Sequence, residues 1–256
     1  MMIDAHIHLD HYHPLQQKAI LDDLSKHQVD ALISVSFNLE SCLKNHRYSL
    51  EDSRIKPAYG FHPEQDIPSD DEVTKLLDWM EGHVDEMVAV GEVGLPYYKR
   101  LESDSPFDYG PYVQLLDQFM AFAAKWNKPI VLHAVYEDAL IACDLLEKHD
   151  IKNAHFHWFK GDDSVTRRMM EKGYFISITP DVLYEKEIQQ LVRLYPITQI
   201  MIETDGPWPF EGPFEGQMTA PKMMKHSIKK IAQLKDLTFE KTERILYENT
   251  KGFYRI

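Results

Sequence analysis

The chain has 256 residues, of which 44% are hydrophobic and 27% charged, with 13 Tyr, 12 Phe and 4 Trp. That length and apolar content suffice for one barrel-sized core and exclude a disordered chain. The formal net charge of −13 disfavours sequence-independent capture of nucleic acid, which depends on Lys and Arg displacing counterions from phosphates. It leaves a phosphate substrate open, because bound divalent cations would return positive charge to the place where phosphate sits.

No apolar run approaches the ~20 residues of a membrane helix, and residues 1–6 lack the charged-then-apolar profile of a secretory signal. The expected address is cytoplasmic, with no membrane contact and no obligate protein partner. Cys42 and Cys143 are the only cysteines; they are too few for a disulfide framework and read as small buried apolar residues.

In chain order, β-branched apolar runs predict strands at residues 3–9, 31–37, 56–61, 87–95, 129–134, 154–159, 174–179 and 199–205. Helical period is visible at residues 15–27, 71–81, 112–126, 137–148 and 164–172, and twice more after the last strand, at 221–235 and 238–250. Strict alternation implies parallel strands with right-handed crossovers, and eight such units close into a (β/α)8 TIM-type barrel, here a single domain over 1–256. An open doubly wound sheet is the alternative. The longest irregular connections, 96–110 and 206–219, both follow strands, where a barrel carries its active-site loops.

His6 and His8 stand two apart on the first predicted strand, so the strand period sends both imidazoles to one face. Glu92 lies in Val90-Gly91-Glu92-Val93-Gly94, His133 in Ile130-Val131-Leu132-His133, His157 in His155-Phe156-His157-Trp158, and Asp205 in Ile202-Glu203-Thr204-Asp205. A buried carboxylate or imidazole is costly unless paired or metal-bound, so five strands ending this way ask for one explanation. Four imidazoles and two carboxylates suffice for two divalent cations about 3.5–4 Å apart, bridged by Glu92, with Asp205 as general base toward water. Imidazole-rich ligation suits Zn²⁺, Mn²⁺, Fe²⁺ or Ni²⁺ better than Mg²⁺.

At these residues the chain resembles the TatD family of metal-dependent deoxyribonucleases, among the amidohydrolase-like barrels. The resemblance runs through Asp4-Ala5-His6-Ile7-His8-Leu9-Asp10, Gly60-Phe61-His62-Pro63, Gly91-Glu92-Val93-Gly94-Leu95, Leu132-His133, His157-Trp158-Phe159-Lys160-Gly161 and Glu203-Thr204-Asp205-Gly206-Pro207. It implies that His6 and His8 hold one metal with Asp205, that His133 and His157 hold the other, and that Glu92 bridges them. It also favours His157 over His155 as ligand; His155 falls on the same side by spacing, with an outer-partner role as the lesser alternative.

The chain departs from the family where phosphate would be gripped. Pro96 replaces an Asp, Ala134-Val135 replace Ser-Arg, and residues 210–217 replace a basic Arg-Gly…Asn-Glu-Pro stretch. Arginine grips phosphate with a planar fork, so its loss weakens the case for a nucleic-acid backbone. Trp208, Phe210 and Phe214 read first as packing of that loop and secondarily as stacking surface.

Lesser candidates are His62, Lys160 and Arg100 for substrate, and Asp4 and Asp10 as carboxylates that orient imidazoles. His11, His13, His27, His46, His83, His149 and His226 fall on predicted helices or loops and carry no assignment. The expected function is phosphodiester hydrolysis of DNA ends or small nucleotides; alternatives are a small amide, ester or phosphomonoester substrate, and a non-catalytic metal-binding interaction protein.

Overall fold

A computed structural model describes residues 1–104 and 106–256. The β-branched runs become strands buried on both faces: β1 (Met2–Ile7), β2 (Val29–Ser34), β3 (Ile55–Tyr59), β4 (Ala89–Gly94), β5 (Ile130–His133), β6 (Ala154–Phe156), β7 (Phe175–Ile178) and β8 (Ile200–Ile202). Among the described residues these eight pair in parallel, in sequence order. Just beyond the last strand, Asp205 N–H donates to the His6 carbonyl at 2.9 Å and His8 N–H to the Gly206 carbonyl at 2.8 Å, which draws β8 onto β1. The result is the (β/α)8 barrel that the alternation predicts.

The connecting helices are α1 (Pro14–Asp23), α2 (Leu39–Glu51), α3 (Asp70–Gly82), α4 (Tyr97–Leu101), α5 (Gly110–Trp126), α6 (Asp138–Lys148), α7 (Asp163–Lys172) and α8 (Lys186–Leu194); α9 (Met224–Lys235) and α10 (Phe239–Tyr254) follow β8. Their starts carry local instructions. Asn38 accepts from Ser41 N–H, Asp162 from Ser164 and Val165 N–H, and Ser69 and Glu72 form a reciprocal capping box. The sequence pattern does not locate α2 or α8, and α4 interrupts a connection expected to be irregular. Among the described residues no helix is long and apolar enough to cross a membrane.

Two apolar layers result. Ile3, Ala5, Ala31, Ile33, Ala58, Ala89, Val131 and Met201 pack together and meet Phe253 and Tyr254 of α10, whereas Ile7, Leu32 and Val90 pack with helix residues such as Ile20, Leu76 and Phe119. The first set takes alternate positions along the strands, which places it inside the barrel. The pairing of β1 with β2 shifts register between Asp4 and Ile7. The alternation therefore changes phase before the two histidines: Ile3 and Ala5 face inward, Ile7 faces the helices, and His6 and His8 face inward again.

Candidate metal centre

The phase change and the strand ends bring His6, His8, Glu92, His133, His157 and Asp205 together, all buried, at the C-terminal rim. Close backbone approach makes room for them. A Cβ at Gly94 would collide with the His133 carbonyl, and one at Gly206 with the Tyr12 hydroxyl. Beyond β2, Ser36 N–H donates to the Gly91 carbonyl at 3.2 Å and the Ser36 carbonyl accepts from Glu92 N–H at 3.3 Å, fixing the strand that carries Glu92. Asp205 and Trp158 have positive φ, 50° and 38°, so the chain turns sharply at both places; Asp tolerates that region better than most residues, whereas for Trp it is strained.

Glu92 sits at the middle, and its two oxygens face different partners. Oε2 is 3.1 Å from His6 Nε2 and 3.2 Å from His8 Nε2, and Asp205 Oδ1 lies 3.4 and 3.6 Å from the same two nitrogens. Oε1 is 2.7 Å from His157 Nε2, 2.9 Å from His133 Nδ1 and 3.4 Å from His62 Nε2. His157 stands between the two sets, because its ring stacks on His6 at 3.8 Å and its donor atom also groups with those of His6 and Asp205.

Burial alone would raise the Glu92 carboxyl, but His157, His62, His6 and the His133 N–H outweigh it and hold it well below the usual carboxylate range. Burial and the neighbouring His157 push the His6 imidazole well down. Asp205 has the opposite environment: burial, reinforced by Glu203 and Glu92, drives its carboxyl well up despite His157. Asp205 Oδ1 and Glu92 Oε2 have no hydrogen-bond donor although both are buried. Unsatisfied carboxylate oxygens facing imidazole nitrogens at 3.1–3.6 Å form a donor set that fits a divalent cation, which would replace the missing protons.

The lesser candidates divide. His62 reaches the centre: Glu64 N–H donates to its Nδ1 at 3.2 Å, so Nε2 carries the proton and points at Glu92 as a donor. Its ring stacks on Phe37 at 4.2 Å, and burial lowers its pKa to about 4. Arg100 is tied to Glu137 at 2.5 Å and lies over Tyr97 and Tyr109, so its guanidinium already has an anionic partner. Lys160 lies over Trp158. Phe210 and Phe214 are buried in a small cluster with Met223, and Trp208 stays exposed beside His8 and His11. Both cysteines are buried, as expected.

Two expectations are corrected. Asp4 orients backbone, not imidazole: its carboxylate accepts from Thr204 N–H at 2.9 Å, Thr204 Oγ1 at 2.5 Å and His6 N–H at 3.4 Å. Asp10 faces His11, at 3.7 Å, and not the HxH pair. His155 is a satisfied core histidine, bonded to Tyr254 Oη at 2.8 Å and Ser177 Oγ at 2.6 Å, and Ser177 Oγ in turn donates to Glu203.

Two carboxylates escape the sequence reading. Glu64 Oε1 contacts His133 Nε2 at 3.1 Å while its oxygens accept from Tyr98 and Lys99 N–H at the start of α4. Burial works against protonation of His133, but the contacts with Glu64 and Glu92 prevail and raise its pKa to about 9. Glu203 Oε1 accepts from Trp158 N–H at 2.9 Å and lies 3.8 Å from His157 Nδ1. Its spacing of two from Asp205 is the signal that would have found it.

A (β/α)8 barrel with imidazoles and carboxylates converging at its C-terminal rim defines the class of metal-dependent barrel hydrolases. The profile of the family described as "TatD related DNase" matches residues 3–255, and the chain belongs to that family. It is 38% identical over 259 residues, covering all of both chains, to a protein of Haemophilus influenzae described as an uncharacterized metal-dependent hydrolase. It is 28% identical to human deoxyribonuclease TATDN3, over 97% of this chain and 92% of that one. Among solved structures, the TatD homologue YjjV of Escherichia coli superposes with a TM-score of 0.88 at 23% identity, covering 100% of this chain and 98% of the other. The chain is a metal-dependent hydrolase of the TatD family.

Proposed function

We propose that the chain hydrolyses phosphodiesters, as DNA ends or small nucleotides, with Glu92 shared between two divalent cations. The observation that carries this reading is the division of Glu92, with Oε2 toward His6 and His8 and Oε1 toward His133 and His157. When bound, the two cations supply water of lowered pKa and stabilise negative charge on the attacked phosphoryl oxygen. Asp205, whose carboxyl is pushed up by burial, would accept the proton of the attacking water through its carboxylate. His62, beside Glu92, would line the substrate side of the centre, and exposed Trp208 offers a stacking face to a base. The human relative named a deoxyribonuclease supports the substrate class.

The second reading, a small amide, ester or phosphomonoester, is favoured by one observation: Arg100, the nearest guanidinium candidate, is held by Glu137. A panel of oligonucleotides beside chromogenic phosphoesters, carboxyl esters and amides separates the two. For either substrate, Glu92→Gln lowers turnover by more than about 100-fold, beyond the loss that an outer partner of a metal ligand gives, with an unchanged circular dichroism spectrum. A near-wild-type rate in that variant would defeat the proposal.

A further inference from the structure

We propose a further metal site in the helical layer, formed by His46, His83 and Glu86 and suited to Zn²⁺ or another divalent ion that accepts imidazole nitrogen. His46 lies on α2, His83 ends α3, and Glu86 lies in the segment leading into β4. None of the three takes part in the centre at the rim, and the site does not rest on the substrate reading above.

The geometry is that of a partly assembled ligand set. Glu86 N–H donates to the His83 carbonyl at 3.1 Å, a turn that keeps these two residues together. Glu86 Oε2 is 3.1 Å from His46 Nδ1, and the two imidazole rings are 4.9 Å apart, edge to face. One ligand atom from each residue lies within 4.8 Å of the others. Zn–N and Zn–O bonds are about 2.0–2.2 Å, so the three must draw inward. His46 and His83 are half-buried and Glu86 is exposed, which leaves the side chains room to rotate while the backbone stays put.

His83 has an outer support. His83 Nδ1 is 2.8 Å from the Trp79 carbonyl; a carbonyl only accepts, so Nδ1 carries the proton and Nε2 presents its lone pair. A metal-bound histidine characteristically has this kind of backing. The His83 ring also stacks on Trp79, with centroids 4.2 Å apart and planes 20° apart. His46 meets the hydroxyl of buried Tyr59 at 3.2 Å through Nδ1, the same nitrogen that faces Glu86, so a metal bound there displaces that contact. Two imidazoles and one carboxylate with open positions for water make a three-ligand zinc set, and a net charge of −13 favours retaining a cation. An ion here ties α2 and α3 to the start of β4 from outside the barrel.

The test counts metal on the intact protein, dialysed against micromolar Zn²⁺, for wild type, His83→Ala and Glu86→Gln. Each variant is expected to bind one equivalent fewer than wild type, with the thermal midpoint of the metal-free chain unchanged. Trp79 provides a second readout. Ni²⁺ should quench a component of the fluorescence that is missing in Trp79→Phe and in Glu86→Gln but persists in Glu92→Gln, where the rim centre is damaged. Equal stoichiometry in all three proteins overturns the site, as does a Trp79 quench that disappears with Glu92→Gln; either result would leave a simple His46–Glu86 ion pair.

Discussion

His133 is gripped from both sides: Nδ1 meets Glu92 at 2.9 Å and Nε2 meets Glu64 at 3.1 Å. If His133 held a metal through Nδ1, Glu64 would be the carboxylate that fixes ring and tautomer, and loss of such partners costs about 10–100-fold in metal affinity. We therefore expect Glu64→Ala to weaken one of the two rim equivalents by about tenfold or more and leave the other unchanged, as read by calorimetric titration. Equal weakening of both, or of neither, would refute this role. Glu64 also accepts the N–H groups of Tyr98 and Lys99, so the same variant should loosen α4. The six central residues are legible in the sequence because each is a polar ligand type at the end of an apolar strand, where burial demands a partner. Glu64 is not legible, since its approach to His133, 69 positions away, depends on how the loop after β3 folds under α4. The pairing of Arg100 is hidden for a similar reason: its partner Glu137 lies 37 positions away, just before α6.

The join between β8 and β1 depends on Asp4, which is fully buried and holds Thr204 by both its N–H and its hydroxyl. Burial raises the Asp4 carboxyl from 3.8 to about 7, with the Thr204 bonds opposing and Glu203 reinforcing. The folded, metal-free chain thus keeps a proton on Asp4 that the unfolded chain releases. Stability from this group is fully present below pH 3.8 and is lost as pH rises toward about 7. Relative to Asp4→Asn, which cannot titrate, the wild type should therefore lose stability between pH 5 and pH 8, by at most a few kcal/mol. Urea unfolding of both proteins in chelator at the two pH values checks it, and parallel curves would contradict it. At this scale the strands are easy to read, because burial on both faces gives continuous β-branched runs. The helix α2 is hidden because the face it buries includes Ser41, Cys42 and Asn45, which give no apolar stripe; Asn45 turns instead to Ser34, Ser36 and the Val35 carbonyl. The helix α8 does carry a stripe, Ile188, Leu191 and Val192, but over only nine residues, short for a periodic signal. The register shift in β1 leaves no mark in composition, yet it aims both histidines inward.

The six rim side chains come from β1, β4, β5 and the segments after β1, β6 and β8, so an ion held by them would cross-link strands from both sides of the barrel junction. A ligand that binds only the folded chain stabilises it by about 2.7 kcal/mol at a hundredfold excess over its dissociation constant. For 256 residues, an unfolding entropy near 2.1 cal/mol/K per residue converts that to about 5 °C per ion. Chelation should accordingly lower the thermal midpoint by about 5–10 °C, and readdition of Zn²⁺ or Mn²⁺ should restore it; an unchanged midpoint would mean that the folded barrel gains nothing from metal. Glu92→Gln separates the contributions, because it impairs the shared carboxylate and leaves the outer histidines alone. Most of the metal-induced shift should vanish in that variant. The part that remains should depend on Glu86, so the Glu92→Gln, Glu86→Gln double variant should melt at one temperature with or without metal.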